Sequence, residues 1–165
     1  MTREDVFERD ALVDRRAFYL QAAFRALLDA MARPGEATEL PPRGMRRLPT
    51  MRREAGLLAA TVTVVDVLLD AATTFAVAGE GGDAARVVSR RTHALAAPVE
   101  AAPYVLLPAS VGGEEAGEVV RALTPGTLLD PQLGATCVVE CSSLVGTDRD
   151  GRRIGSAAGA GVAST

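Results

Sequence analysis

The sequence predicts one α/β domain, a layered sandwich around a mixed sheet. Short apolar runs rich in β-branched residues, bounded by Gly or Pro, alternate with segments whose apolar residues recur at three- and four-residue steps. The last strand candidate is followed by a tight turn and a second extended run, which adds an antiparallel hairpin to an otherwise parallel arrangement. The length of 165 residues, with 48% hydrophobic and 24% charged residues, suits a folded chain with one core and not a disordered one.

In chain order, Leu20, Phe24, Leu27, Leu28 and Met31 mark an amphipathic helix over 14–33, with Arg25, Asp29 and Arg33 on another face. Asp14 is placed to cap it, and Pro34-Gly35 ends it, because the proline ring bars helical geometry at the preceding residue. A Pro- and Arg-rich connector, 41–53, leads to a second helix through Leu57, Leu58, Val65, Leu68 and Leu69. A buried strand is predicted over 73–78, then a short helix opened by Asp83 and passing Val87, Val88 and Arg91. Tyr104–Leu107 between Pro103 and Pro108 reads as a strand, 114–123 as a helix with acids in its first turn, and Thr124-Pro125-Gly126 as a turn. The longest strand candidate is 135–144, with 152–157 as its hairpin partner across 147–151. The ends, 1–13 and 158–165, read as loosely held.

Composition excludes more than it suggests. The net charge is −3 and both signs are spread along the chain, so no basic face for nucleic acid is evident. The opening residues alternate charge with single apolar residues, unlike a secretory leader, and the apolar stretch 57–69 is too short and too interrupted to span a bilayer. With two cysteines only, the cytoplasm is the expected compartment. All 18 basic residues are arginine. Without lysine the chain cannot form an internal aldimine with pyridoxal phosphate, a Schiff-base nucleophile or a Walker lysine contact. One histidine, His93, cannot supply a two-imidazole site.

The remaining candidates each have a plainer reading. Gly79-Glu80-Gly81-Gly82-Asp83-Ala84 satisfies G-x-G-x-x-A between a strand and a helix, the pattern that brings a pyrophosphate to a helix N-terminus. Glu80 and Asp83 place negative charge where phosphates would lie, so a glycine-rich turn with Asp83 as N-cap reads better. Cys137 and Cys141 lie on one face of a strand and read as structural thiols, since no further ligands accompany them. Arg43, Arg46, Arg47, Arg52 and Arg53 are able to grip an anion or an acidic partner, or to line a solvated loop. Gly155, Gly159 and Gly161 suit a tail or a close contact with another chain. His93, after Arg90, Arg91 and Thr92, suits a helix C-terminus better than catalysis.

Three stretches together resemble the PhnH subunit family of bacterial carbon-phosphorus lyase. The most specific is Phe24-Arg25-Ala26-Leu27-Leu28-Asp29-Ala30-Met31-Ala32-Arg33-Pro34-Gly35, similar to that family's F-R-x-L-L-x-A-M-x-x-P-G. The second is Gly126-Thr127, Pro131 and Gly134-Ala135-Thr136, similar to G-T-x-x-x-P-x-x-G-A-T, followed by an apolar strand ending at Ser143-Leu144. The third comprises Thr92-His93 to Pro98 and the glycine-rich 151–162. The resemblance implies a sandwich similar to the large domain of pyridoxal-phosphate transferases, without the cofactor. It implies a homodimer assembling with G, I and J subunits. In that complex a phosphonate is joined to the ribose of ATP and its carbon-phosphorus bond is later broken by radical chemistry on the I and J subunits. This chain would be a structural subunit, with no catalytic, cofactor or metal residue to carry over. The family pattern continues past the glycine-rich hairpin to a further strand, whereas this sequence ends at Thr165.

Overall fold

The computed structural model describes the backbone over residues 3–41, 56–79, 82–147 and 153–164, and side chains over 15–41, 56–79 and 82–141. The first helix, α1, is Arg3–Ala32, so Asp14 lies inside it and does not cap it. The physical reason is that no Gly or Pro interrupts 3–32, leaving nothing to start a helix at 14. Its end is where the sequence puts it. The Glu36 N–H donates to the Arg33 carbonyl at 3.1 Å around Pro34 and Gly35, and Gly35 has φ +92°, the left-handed position a type II turn requires.

The second helix, α2 (Ala59–Leu68), carries five consecutive buried residues, Thr61 to Val65. It lies between α1 and the sheet, so its β-branched run is covered on all sides and remains helical against local propensity. The Thr63 hydroxyl donates to the Ala59 carbonyl at 3.1 Å and meets the Tyr19 hydroxyl of α1 at 2.8 Å. Of the apolar residues expected to bury on α1, Leu27 does so and Leu20 is half-buried, while Phe24, Leu28 and Met31 remain exposed. The face seated on α2 is centred on Ala23 and Leu27, because small residues there allow close helix approach.

The strands are β1 (Thr74–Val77), β2 (Leu95–Ala96), β3 (Tyr104–Leu107), β4 (Thr136–Thr147) and β5 (Arg153–Ser164), in the spatial order β2-β1-β3-β4-β5. The first four run parallel and β5 pairs antiparallel with β4, the mixed sheet that the hairpin pattern predicts. β2 has only two residues, both exposed, too brief for a periodic signal. β5 extends to Ser164, beyond the expected end at Ala157, and Gly155, Gly159 and Gly161 lie within it.

Helix α3 (Gly82–Thr92) joins β1 to β2, and α4 (Gly113–Ala122) joins β3 to β4. Alternation along the strands divides the core in two. Phe75, Leu106 and Val138 face α1, α2 and α3, whereas Ala76, Val105, Leu107 and Cys137 face the α4 side. The architecture is therefore helix, sheet, helix. No helix among the described residues is long and apolar enough to cross a membrane.

Helix α3 is pinned to α2 by a charged pair. Arg91 donates through Nε to Asp66 Oδ1 and through Nη2 to Asp66 Oδ2, the second bond being 2.6 Å. The Asp66 side chain is 1% exposed, and its hydrogen bonding raises the Arg91 pKa above the ordinary arginine value. At the end of α3, His93 has φ 64° and its backbone N–H caps the Ser89 carbonyl at 2.8 Å, while its imidazole is exposed. The left-handed conformation costs a non-glycine residue roughly 1 kcal/mol. His93→Gly is therefore expected to stabilise the fold by about 0.5 kcal/mol, read as a higher urea midpoint; a lower midpoint would show that the imidazole contributes to stability.

Candidate functional site

In an open α/β sheet, ligands bind beyond the carboxyl ends of the strands where successive connections diverge. Here that point lies between β1, whose connection leads outward to β2, and β3, whose connection leads the other way to β4. Its rim consists of Gly79 after β1, the 108–113 loop after β3, and Glu140 on β4.

Gly79 has φ +78°, and a Cβ built there would lie 2.7 Å from Val111 Cγ2, so only glycine fits. Glu115 Oε1 lies 3.8 Å from the same position. Glu80 and Gly81 fall outside the described residues, and α3 opens at Gly82. Asp83 is thus in the first helical turn and not at the N-cap, because the helix starts one residue sooner. Its carboxylate takes Arg86 Nη2 at 2.6 Å in an exposed pair. Gly79 and Gly82 occupy the right place in the topology for a nucleotide, but the Glu115 carboxylate beside Gly79 opposes a phosphate, while the Asp83 charge is met by Arg86.

Glu140 is the rim residue that sequence patterning missed. It is 5% exposed and, two residues past Val138, points to the α2 face. Oε1 accepts the Leu58 N–H at 2.6 Å and Oε2 accepts the Ala109 N–H at 3.2 Å. One carboxylate thereby ties the start of α2 to the loop after β3, with favourable charge at a helix N-terminus. A lone acid in the apolar run 135–141 was the available signal; its partners, 82 and 31 residues away, were not.

Among the described residues, the basic candidates do not converge on this rim. Arg90 and Arg91, in the last turn of α3, and His93 just after it lie toward the amino ends of the strands, away from this rim. The connector arginines Arg43, Arg46, Arg47, Arg52 and Arg53 fall outside the described residues. Cys137 and Cys141 share a strand face as expected, Cys137 buried in the α4-side core and Cys141 half-buried. Among the described residues no group of three or more His, Cys, Asp or Glu could hold a metal ion.

Burial pushes the Cys137 thiol above its ordinary pKa. At neutral pH, iodoacetamide is expected to label Cys141 before Cys137, with Cys137 reacting fully only in denaturant. Above the unfolded thiol's pKa of about 8.5 the unfolded chain releases a proton that the folded chain retains, so this group's contribution to stability falls as pH rises. Equal labelling of both thiols in the folded protein would contradict the burial.

A family model described as bacterial phosphonate metabolism protein (PhnH) matches residues 13–165, nearly the whole chain. The chain belongs to the PhnH family. Comparison with curated proteins finds none that matches. Membership associates the chain with phosphonate metabolism. Phe24, Leu28 and Met31 lie exposed on α1, and Leu128, Leu129 and Leu133, between the matching Gly-Thr and Gly-Ala-Thr, are exposed in the loop before β4.

Proposed function

We propose that this PhnH-family chain is a non-catalytic structural and assembly subunit of carbon-phosphorus lyase. It acts in the cytoplasm as a homodimer beside G-, I- and J-type subunits, with a sandwich similar to the pyridoxal-phosphate transferase large domain but without the cofactor. The observation that carries the reading is the family match across 13–165. The disposition of polar groups supports it: Glu140 and Asp66 bind other parts of the same chain, Cys137 is in the core, and His93 stands apart from the rim. The alternative, a free-standing nucleotide- or anion-binding module on Gly79–Ala84, has the topology in its favour and the charge of Glu115 beside Gly79 against it.

Co-expression with the G, I and J subunits tests the proposal, with co-elution at fixed stoichiometry as the expected result. The purified chain alone should neither split a phosphonate nor form a borohydride-reducible adduct with pyridoxal phosphate. Turnover by the isolated chain, or ATP binding lost in Gly82→Glu, would replace the assembly reading with one of the others.

A further inference from the structure

We infer that the loop from Thr124 to Gly134 is a preformed anchor for a different protein, one that offers an apolar pocket edged by basic side chains. This rests on the reading of the chain as an assembly subunit and names the surface and chemistry of one contact. Leu128 and Leu129 are 103% and 92% exposed, and Leu133 is 63% exposed. Turn positions normally take Gly, Pro, Asn, Asp or Ser, so adjacent leucines at a loop tip run against local chemistry. Large side chains held wholly in water mark a contact surface when they cluster.

The loop is braced around them. The Ala135 N–H donates to the Thr124 carbonyl at 2.9 Å and closes its ends. Across the tip, the Thr127 N–H donates to the Asp130 carbonyl at 3.2 Å, and the Asp130 N–H donates to Thr127 Oγ1 at 2.9 Å. The Leu133 N–H reaches the Asp130 carbonyl at 3.2 Å, and the Thr124 hydroxyl fastens the loop to the Glu100 carbonyl at 2.7 Å. A Cβ on Gly126 would fall 2.7 Å from the Pro131 carbonyl oxygen, so the backbone folds back with no room for a side chain. The ordering cost that weakens loop-mediated binding is thus largely met before any partner arrives.

Charge selects the partner. Asp130 flanks the tip and Glu100 is tied to the base of the loop, both exposed, and Thr124–Gly134 itself holds no basic residue. If the loop met its own copy across a two-fold axis, Asp130 and Glu100 would face like charges. A different chain, with an apolar pocket for Leu128 and Leu129 and arginine or lysine at its edge, satisfies both features.

The test compares wild type with Leu128→Ser/Leu129→Ser and with Asp130→Lys in binding to the co-purified G, I and J subunits. Both leucines are exposed, so the double variant should keep the wild-type melting temperature; Leu129→Ser alone serves if it does not. The inference expects the double variant to bind at least about 100-fold more weakly. It expects Asp130→Lys to slow association and flatten its salt dependence. Wild-type affinity in the double variant overturns the inference and leaves the assembly reading intact. A wild-type self-association abolished by the same substitutions overturns it in favour of a second copy. No binding by wild type to any of these subunits overturns the assembly reading as well.

Discussion

Arg91→Ala is expected to lower the melting temperature by roughly 10 °C, a far greater loss than an exposed ion pair would bring. The cause is a buried carboxylate deprived of its two-pronged cation. Asp66 is 1% exposed and takes both Nε and Nη2 of Arg91, and truncating one member of such a pair costs about 3 kcal/mol or more. For a chain of this size each kcal/mol moves the midpoint by roughly 2–4 °C. Arg91→Lys should recover only part of the loss, since an ammonium presents no planar fork. Asp66→Leu combined with Arg91→Met, which removes both charges, should be much less damaging than Arg91→Ala alone. Calorimetry decides the matter: equal melting points for the single and double variants would show that the pair does not act as a unit.

Glu140→Leu is expected to cost about 3 kcal/mol, because the Leu58 and Ala109 N–H groups both lose their acceptor. Glu140→Gln leaves one amide oxygen for two donors and turns an NH2 toward the other, so it should fall between wild type and Leu. The loss should be accompanied by faster hydrogen exchange at the start of α2 and at Ala109. An unchanged urea midpoint in Glu140→Leu would mean that these N–H groups find other partners.

These two carboxylates show where sequence reading stops. Asp66 was visible as a charge interrupting 57–69 and Glu140 as one interrupting 135–141, yet each depends on a partner brought close only by the sheet. Local rules served where the cause was local. Pro34-Gly35 fixed the end of α1, Pro103 and Pro108 framed β3, and the turn after β4 foretold the hairpin. They failed at Asp14, where a good capping residue stands within an uninterrupted helix, and at Asp83, one residue inside α3. On α1 the apolar pattern correctly gave a helix but not its buried side, because Ala23 contributes more by being small than Phe24 does by being apolar. At the rim, Gly79 had the right place in the topology, with the Glu115 carboxylate beside it.

The strand order β2-β1-β3 also has a consequence in time. Among the described residues β1 is the first strand to leave the ribosome, yet its parallel neighbour β3 follows about 27 positions later. At roughly 5–20 residues per second, Thr74–Val77 waits one to several seconds for that ladder. During synthesis the nascent chain therefore carries an apolar strand with an unpaired edge, and a chaperone that shields this segment before β3 emerges would raise the yield of folded protein without altering its final stability.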